Sequence, residues 1–386
     1  MNFNINEKEL LELLQELIRI ESINPTLSKE GSGEAEIAKY IGDYLKEIGL
    51  EVKHQDIGDG RLNTIGILKG TGSGKSIMLN GHTDTVSISG MEIEPFNPVF
   101  KKGKVYGRGA NDMKSGLAAI IIAIKTLIEN NIKIKGDIIL TFVADEEYAS
   151  LGTEKLIEEY HADAAIICEP SNLQIVIAHK GFAWIKVIIH GKSAHGSLPE
   201  FGVDAIVKGG KFLAKLEDLE KMILSQKKHP LLSSPSLHAS LIKGGIELST
   251  YPDYCEIQLE RRTLPGEDRD YITQEIKNLI TNLSGEDNKF KADFDLLFYR
   301  SPLEVSSNQP IAKSLFKICS EVLNRKIKFS GFSGWTDAAI LNDAGIPTIL
   351  FGAKGVGSHS SLEYVDFKSV VSTARILIGT ILDFCN

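Results

Sequence analysis

The sequence predicts an α/β sandwich with a mixed sheet and a smaller α+β domain inserted in its second half. Three observations predict it. Through residue 180, segments with helical apolar spacing alternate with short apolar runs of strand type. After Lys180 the texture changes to a strand–helix–strand–strand–helix–strand unit of about a hundred residues, an ordinary domain size. After Asp295 the α/β texture returns. One discontinuous domain is therefore expected, residues 1–180 and 292–386, interrupted by a second, residues 181–291.

The elements follow in order. Residues 7–20 carry apolar side chains at helical spacing, and residues 34–48 repeat the pattern and stop at Gly49. Strands follow near 51–54, 63–68 and 76–80. Residues 116–129 form a helix whose apolar run marks it as buried, and residues 137–143 and 164–167 are strands of the buried type. In the insert, "AWIKVIIHG" is a strand, followed by a helix over 203–219, strands near 236–241 and 254–260, and a helix over 268–283. Helices over 311–323 and 335–342, a strand at 348–351 and a helix over 367–383 complete the chain. No internal repeat or low-complexity segment interrupts it.

The 386 residues suit two domains or one large one, and 42% hydrophobic with 24% charged residues is a globular balance. A net charge of -8 without long Lys/Arg runs argues against a nucleic-acid partner. The apolar stretch "GLAAIIIAI" is too short to cross a membrane, so no membrane partner is expected. The N-terminus reads as an acidic amphipathic helix, not a secretion signal. Cys168, Cys255, Cys319 and Cys385 are scattered, which suits reduced, buried thiols and a cytoplasmic location.

The stretch "KGTGSGKS" imitates a phosphate-binding loop, but Lys69 stands where the first glycine belongs. The strand also follows the glycines instead of preceding them, so a turn between two strands is expected. A nucleotide-binding protein is the competing class that this stretch raises. A metal-free scaffold is another.

A different set of residues points to metal. His82 follows a buried strand at the end where loops carry ligands, and Asp84 is spaced to orient its ring. Asp112 stands among Gly107, Gly109 and Gly116 just before a helix, where capping is the ordinary role. Asp145, Glu146 and Glu147 crowd together after a strand, and a cation would relieve their repulsion. Glu169 ends the next strand, and His359 lies in a Gly/Ser loop. Each has a bland explanation alone. Together, two histidines and several carboxylates suit a borderline divalent metal such as zinc. More than four ligands suggest two ions sharing a carboxylate.

The ordered set "GHTDTV", "GRGANDMKSG", "ADEE", "CEPSN", "RRTLPG" and "GSHSSLEYV" resembles the M20 metallopeptidase family over nearly the whole chain. That family includes acetylornithine deacetylases, succinyl-diaminopimelate desuccinylases, aminoacylases and carboxypeptidase G-type enzymes. The resemblance implies a three-layer catalytic domain with an inserted lid and dimerisation domain, two divalent ions per chain (zinc by default, cobalt or manganese as substitutes) and a homodimer. It implies that His82, Asp112 and Glu169 hold one ion and Asp112, Glu147 and His359 the other. It makes Glu146 the general base, although the residues alone leave Glu146 and Glu147 interchangeable. It also implies a cis peptide at Asp112–Met113. In "GKSAHGSLPEFGVDAI", His195 would reach the partner subunit's site and stabilise the oxyanion; without the resemblance it reads as a surface histidine. Arg262 would bind the substrate carboxylate, and lid closure would complete the site. "GGIELSTYPD" departs from the family, with Ser249 where Asn is usual, and puts that substrate contact in doubt. The expected reaction is amide hydrolysis of N-acyl amino acids in the manner of acetylornithine deacetylase. A dipeptidase, carboxypeptidase or desuccinylase using the same site is the alternative.

Overall fold

The computed structural model describes residues 4–386. The first helix, α1 (Glu7–Arg19), forms because Leu10, Leu13, Leu14, Leu17 and Ile18 make one buried stripe, and the Asn6 side chain caps it by accepting from Glu9 N. There follow α2 (Ala35–Glu47), β1 (Glu51–Gly58), β2 (Arg61–Leu68), β3 (Ile77–His82), β4 (Val99–Lys101) and β5 (Lys104–Tyr106). Next come α3 (Lys114–Glu129), β6 (Ile138–Val143), α4 (Leu151–Leu156), β7 (Ala164–Ile167) and β8 (Ile175–His179). The central stretch contains β9 (Gly181–His190), α5 (Ala205–Gln226), β10 (Ser236–Gly244), β11 (Tyr254–Thr263), α6 (Arg269–Glu286) and β12 (Lys291–Arg300). The chain ends with β13 (Leu303–Glu304), α7 (Pro310–Leu323), β14 (Phe329–Phe332), α8 (Ala338–Asp343), β15 (Thr348–Leu350), β16 (Gly355–Val356), β17 (Tyr364–Asp366) and α9 (Phe367–Phe384).

Two compact units result. The first holds the described residues through Ile177 with Val305–Ser330 and Thr336–Asn386. The second holds Ala178–Glu304 and Gly331–Trp335. The boundary expected at residue 291 coincides with the start of β12, which lies inside the second unit. That strand pairs with β9 from Lys291↔His190 to Arg300↔Phe182, so the second unit continues to Glu304.

In the first unit the sheet runs β1-β2-β6-β3-β7-β15. Strands β6, β3, β7 and β15 are mutually parallel, while β1 and β2 are antiparallel, so the sheet is mixed. Helix α3 is buried nearly all round, from Leu117 to Ile124, and packs against α1, α9 and β3. An all-round apolar helix of this length belongs to a core, and no helix among the described residues is long and apolar enough to cross a membrane. In the second unit the sheet runs β10-β11-β9-β12. Its Ala183, Ile185, Val187 and Ile189 face Phe212, Leu216, Ile272 and Ile276 of α5 and α6.

The phosphate-loop imitation is a connection between β2 and β3. Lys69 Nζ and Gly70 N donate to the two oxygens of Asp137 at 2.9 and 2.8 Å. A Cβ on Gly74 would lie 2.0 Å from the Cys385 carbonyl oxygen, so glycine is there for close packing.

Candidate functional site

Because β6, β3 and β7 are parallel neighbours, the segments leaving them open on one edge of the sheet, where α/β proteins place ligands. His82 is the last residue of β3. Its Nδ1 lies 2.9 Å from the Asp84 carbonyl oxygen, which can only accept, so Nδ1 carries a proton. The other nitrogen, Nε2, lies 3.1 Å from Asp112 Oδ1 and 3.5 Å from Glu169 Oε1.

Asp84 was expected to hold the ring through its carboxylate. The carboxylate is 3.6 Å from Nδ1, and the main-chain carbonyl makes the closer contact. The carboxylate accepts instead from the backbone N–H of Glu146 and of Glu147, both at 3.1 Å, and from Asn24 Nδ2 at 2.8 Å. Asp84 thus ties the His82 segment to the acidic turn.

That turn is not strand. β6 ends at Val143, and Asp145 has φ 70°, so Glu146 and Glu147 follow a turn and do not alternate as strand residues would. The turn separates three like charges by giving each a different environment. Asp145 pairs with Arg61 Nη1 at 2.8 Å and accepts from Asn24 at 3.0 Å. Arg61 in turn holds Glu34 bidentately, at 2.8 and 2.5 Å. Glu147 Oε2 lies 2.8 Å from His359 Nε2. The Glu146 carboxylate makes no hydrogen bond with any described residue, which leaves it available for chemistry.

The Asp112 loop is held from across the chain by Glu363. This fully buried carboxylate accepts from Arg108 Nη1 (2.8 Å), Gly109 N (3.0 Å), Asn111 N (2.8 Å) and Asp112 N (3.0 Å). Asp112 Oδ1 therefore faces His82 while Oδ2 faces His359 at 3.5 Å. The Asp112–Met113 bond is cis.

Two ligand groups result, His82–Asp112–Glu169 and Asp112–Glu147–His359, each with its ligand atoms within 4.8 Å of one another. Asp112 belongs to both. The donor set, imidazole plus carboxylate, fits divalent cations of the zinc type. Glu147 Oε1 supports the fit independently, because it is buried with no hydrogen-bond partner. Without a cation the crowding is unfavourable. Burial, reinforced by Glu169 and Asp337, pushes Glu146 well above the usual carboxylate range despite the opposing pull of His82. Burial and Asp112 push Glu169 up likewise. Burial pulls His82 down, but the Asp112 and Asp84 contacts outweigh it and raise it. Bound cations reverse such shifts for the carboxylates.

Sequence reasoning missed Asn24, Glu34, Arg61, Glu363 and Asp337. Asp337, at the start of α8, is buried and accepts from Thr153 Oγ1 at 2.5 Å, and burial raises it to about 6.

The remaining expected residues lie in the second unit. His195 Nδ1 accepts from Ser197 N at 3.2 Å, with Ser197 Oγ at 2.7 Å, which leaves Nε2 to carry the proton. Ser249 lies beside it, its carbonyl accepting from Gly196 N at 2.8 Å. Of the arginine pair, Arg261 is wholly buried against Glu267 and Glu275, whereas the Arg262 side chain is 32% exposed. Only Arg262 can meet a ligand.

The family model described as peptidase family M20/M25/M40 matches residues 78–383. The chain is 28% identical to an N-formyl-4-amino-5-aminomethyl-2-methylpyrimidine deformylase of Bacillus subtilis (strain 168), over 99% of this chain and 96% of the relative. It is 28% identical to an acetylornithine deacetylase of Aliivibrio salmonicida, over 98% of this chain and 99% of the relative. In structure it is similar to aminopeptidase PepT of Bacillus cereus, with TM-score 0.82 and 24% identity over 98% of this chain and 99% of the other.

Proposed function

Because the chain belongs to peptidase family M20/M25/M40, a family of metal-dependent amidohydrolases and peptidases, we propose that it hydrolyses the amide bond of N-acyl amino acids with two divalent ions. The observation that carries the proposal is the sharing of Asp112, one oxygen toward each ligand group. His82, Asp112 and Glu169 would hold one ion, and Asp112, Glu147 and His359 the other, with zinc the default metal. Bound there, the ions would supply Lewis acidity and make water a better nucleophile.

The chain's own residues do the rest. Glu146, whose carboxylate has no hydrogen-bond partner among the described residues, accepts the proton of the attacking water and returns it to the leaving amine. Asp84 positions Glu146 and Glu147 through their backbone N–H groups. His195 donates from Nε2 to the developing oxyanion, a role its tautomer supports. Arg262 receives the substrate carboxylate, because its fork meets a carboxylate bidentately. Ser249, in place of the family's usual Asn, offers a shorter reach to substrate.

The deacetylase relative supports an N-acetyl amino acid such as acetylornithine as substrate. Dipeptides and N-succinyl substrates are the alternative that the same site would accept. Four free, buried cysteines support a reducing, cytoplasmic location. A homodimer is supported by the edge position of β10, where Leu241 is 63% and Ile242 58% exposed. The test is amine release from N-acetylornithine, other N-acetyl amino acids, N-succinyl-diaminopimelate and dipeptides, with zinc and with chelator. Metal-dependent release from N-acetyl amino acids above the others supports the proposal. Release from dipeptides alone contradicts the substrate assignment.

A further inference from the structure

The second unit carries a feature that a plain N-acetyl hydrolase does not need. Its sheet has one face covered by α5 and α6 and another that bears Phe182, Trp184, Phe298, Arg262 and Arg300. Phe182 stands directly across from Arg262 on β11 and from Arg300 on β12. Trp184 stands across from Glu260 and Phe298. Phe182 is the hub: its ring lies 5.4 Å from Trp184, 5.7 Å from Phe298 and 5.9 Å from Trp335. Trp184 and Phe298 are 5.4 Å apart. The Arg262 guanidinium lies 5.2 Å from the Phe182 ring, and Arg300 lies 4.6 Å from Phe298 and 5.6 Å from Trp335.

Two things on this panel remain open to a ligand. Arg262 uses Nε on Glu260 at 2.7 Å, and its terminal nitrogens have no partner among the described residues. Trp184 is 38% exposed although it is a large apolar ring. A free guanidinium fork asks for a carboxylate, and the adjoining rings ask for a flat apolar group. Glu260 fixes the arrangement, accepting from both Trp184 Nε1 (3.1 Å) and Arg262.

We propose that Phe182, Trp184, Phe298 and Trp335 form a side-chain subsite beside Arg262 that selects substrates whose carboxylate-bearing residue is aromatic, such as N-acyl-phenylalanine or N-acyl-tryptophan. The proposal rests on Arg262 as the carboxylate site of the proposed hydrolase, and within the N-acyl amino acids it ranks aromatic residues above aliphatic ones such as acetylornithine.

The chain has only two tryptophans, Trp184 and Trp335, so selectively excited tryptophan fluorescence reports on this panel. The zinc-loaded protein is titrated with N-acetyl-phenylalanine and with N-acetyl-alanine, and kcat/KM is measured for both. The expected result is a saturable fluorescence change at lower concentration for the phenylalanine compound and a preference in kcat/KM of about tenfold, the scale of one good aromatic contact. Trp184→Ala and the milder Phe298→Leu should each bring the kcat/KM ratio of the two substrates toward one. Equal fluorescence responses, or variants that lower both substrates alike, would overturn the subsite. If neither compound is cleaved while the wider panel of N-acyl amino acids and dipeptides is also left intact, the hydrolase assignment fails instead. The subsite still stands if the phenylalanine compound alone shifts the fluorescence and Arg262→Ala abolishes the shift, and it falls otherwise.

Discussion

Glu363→Gln should disable the site without touching a single proposed ligand. Glu363 Oε2 accepts from Arg108 and Gly109, and Oε1 from Asn111 and Asp112. A glutamine keeps one carbonyl oxygen and turns an NH2 toward two N–H donors. It also removes the counter-ion of Arg108, whose side chain is 3% exposed. Breaking a buried pair by deleting one partner costs about 3–5 kcal/mol. Losing two charge-assisted bonds at about 1.5–3 kcal/mol each gives the same range by a separate route. Because the lost donors position Asp112, metal affinity should fall about 10–100-fold, the usual effect of removing a group that orients a ligand. The assay is a thermal melt of metal-free protein followed by zinc titration. A melting drop on the order of ten degrees, with weakened zinc binding, is expected. A variant that melts within about 2 °C of wild type and binds zinc equally well would refute the reasoning.

Three other outcomes follow from the same geometry. Glu146→Gln should retain both ions, since Glu146 belongs to neither ligand group, while kcat falls about 10²–10⁴-fold; near-normal turnover with both ions bound would remove Glu146 as the base. Asp337 has its folded pKa raised from 3.8 to about 6, so its contribution to stability is full below the unfolded value and is lost as pH rises through the folded one. Urea denaturation of metal-free protein between those pH values should therefore show stability falling with pH, and Asp337→Asn should flatten the slope; an unchanged slope would argue that Asp337 ionises normally. Leu241→Lys, placed on the exposed β10 edge, should shift the protein toward monomer in sedimentation velocity, and a wild-type chain that is already monomeric would contradict the dimer.

The sequence made the proposed ligands legible because they are scarce residue types at the ends of recognisable strands. His82 closes β3 and Glu169 lies two residues past the end of β7, so buried-strand patterning pointed to them. The supporting carboxylates had no such signal. Glu363 meets Asn111 across 252 positions, and Glu34 meets Arg61 across 27, so no local spacing could pair them. The acidic triplet left Glu146 and Glu147 interchangeable for a related reason: the positive φ at Asp145 turns the chain, and no local spacing tells which carboxylate then meets His359. β12, "KADFDLLFYR", the last strand of the expected inserted unit, could not be given bounds because it alternates as a half-exposed edge strand rather than as an apolar run. The small sheet of β4, β5, β16 and β17 consists of strands of two or three residues, too short to show any period.

The most direct test of the account is reactivation of chelated protein. Enzyme stripped of metal is given zinc in small steps while amine release from an N-acetyl amino acid is followed. Two ligand groups that share Asp112 predict no release at the start and full activity at two ions per chain. Release that persists after stripping, or none with two ions bound, would contradict a di-metal amidohydrolase.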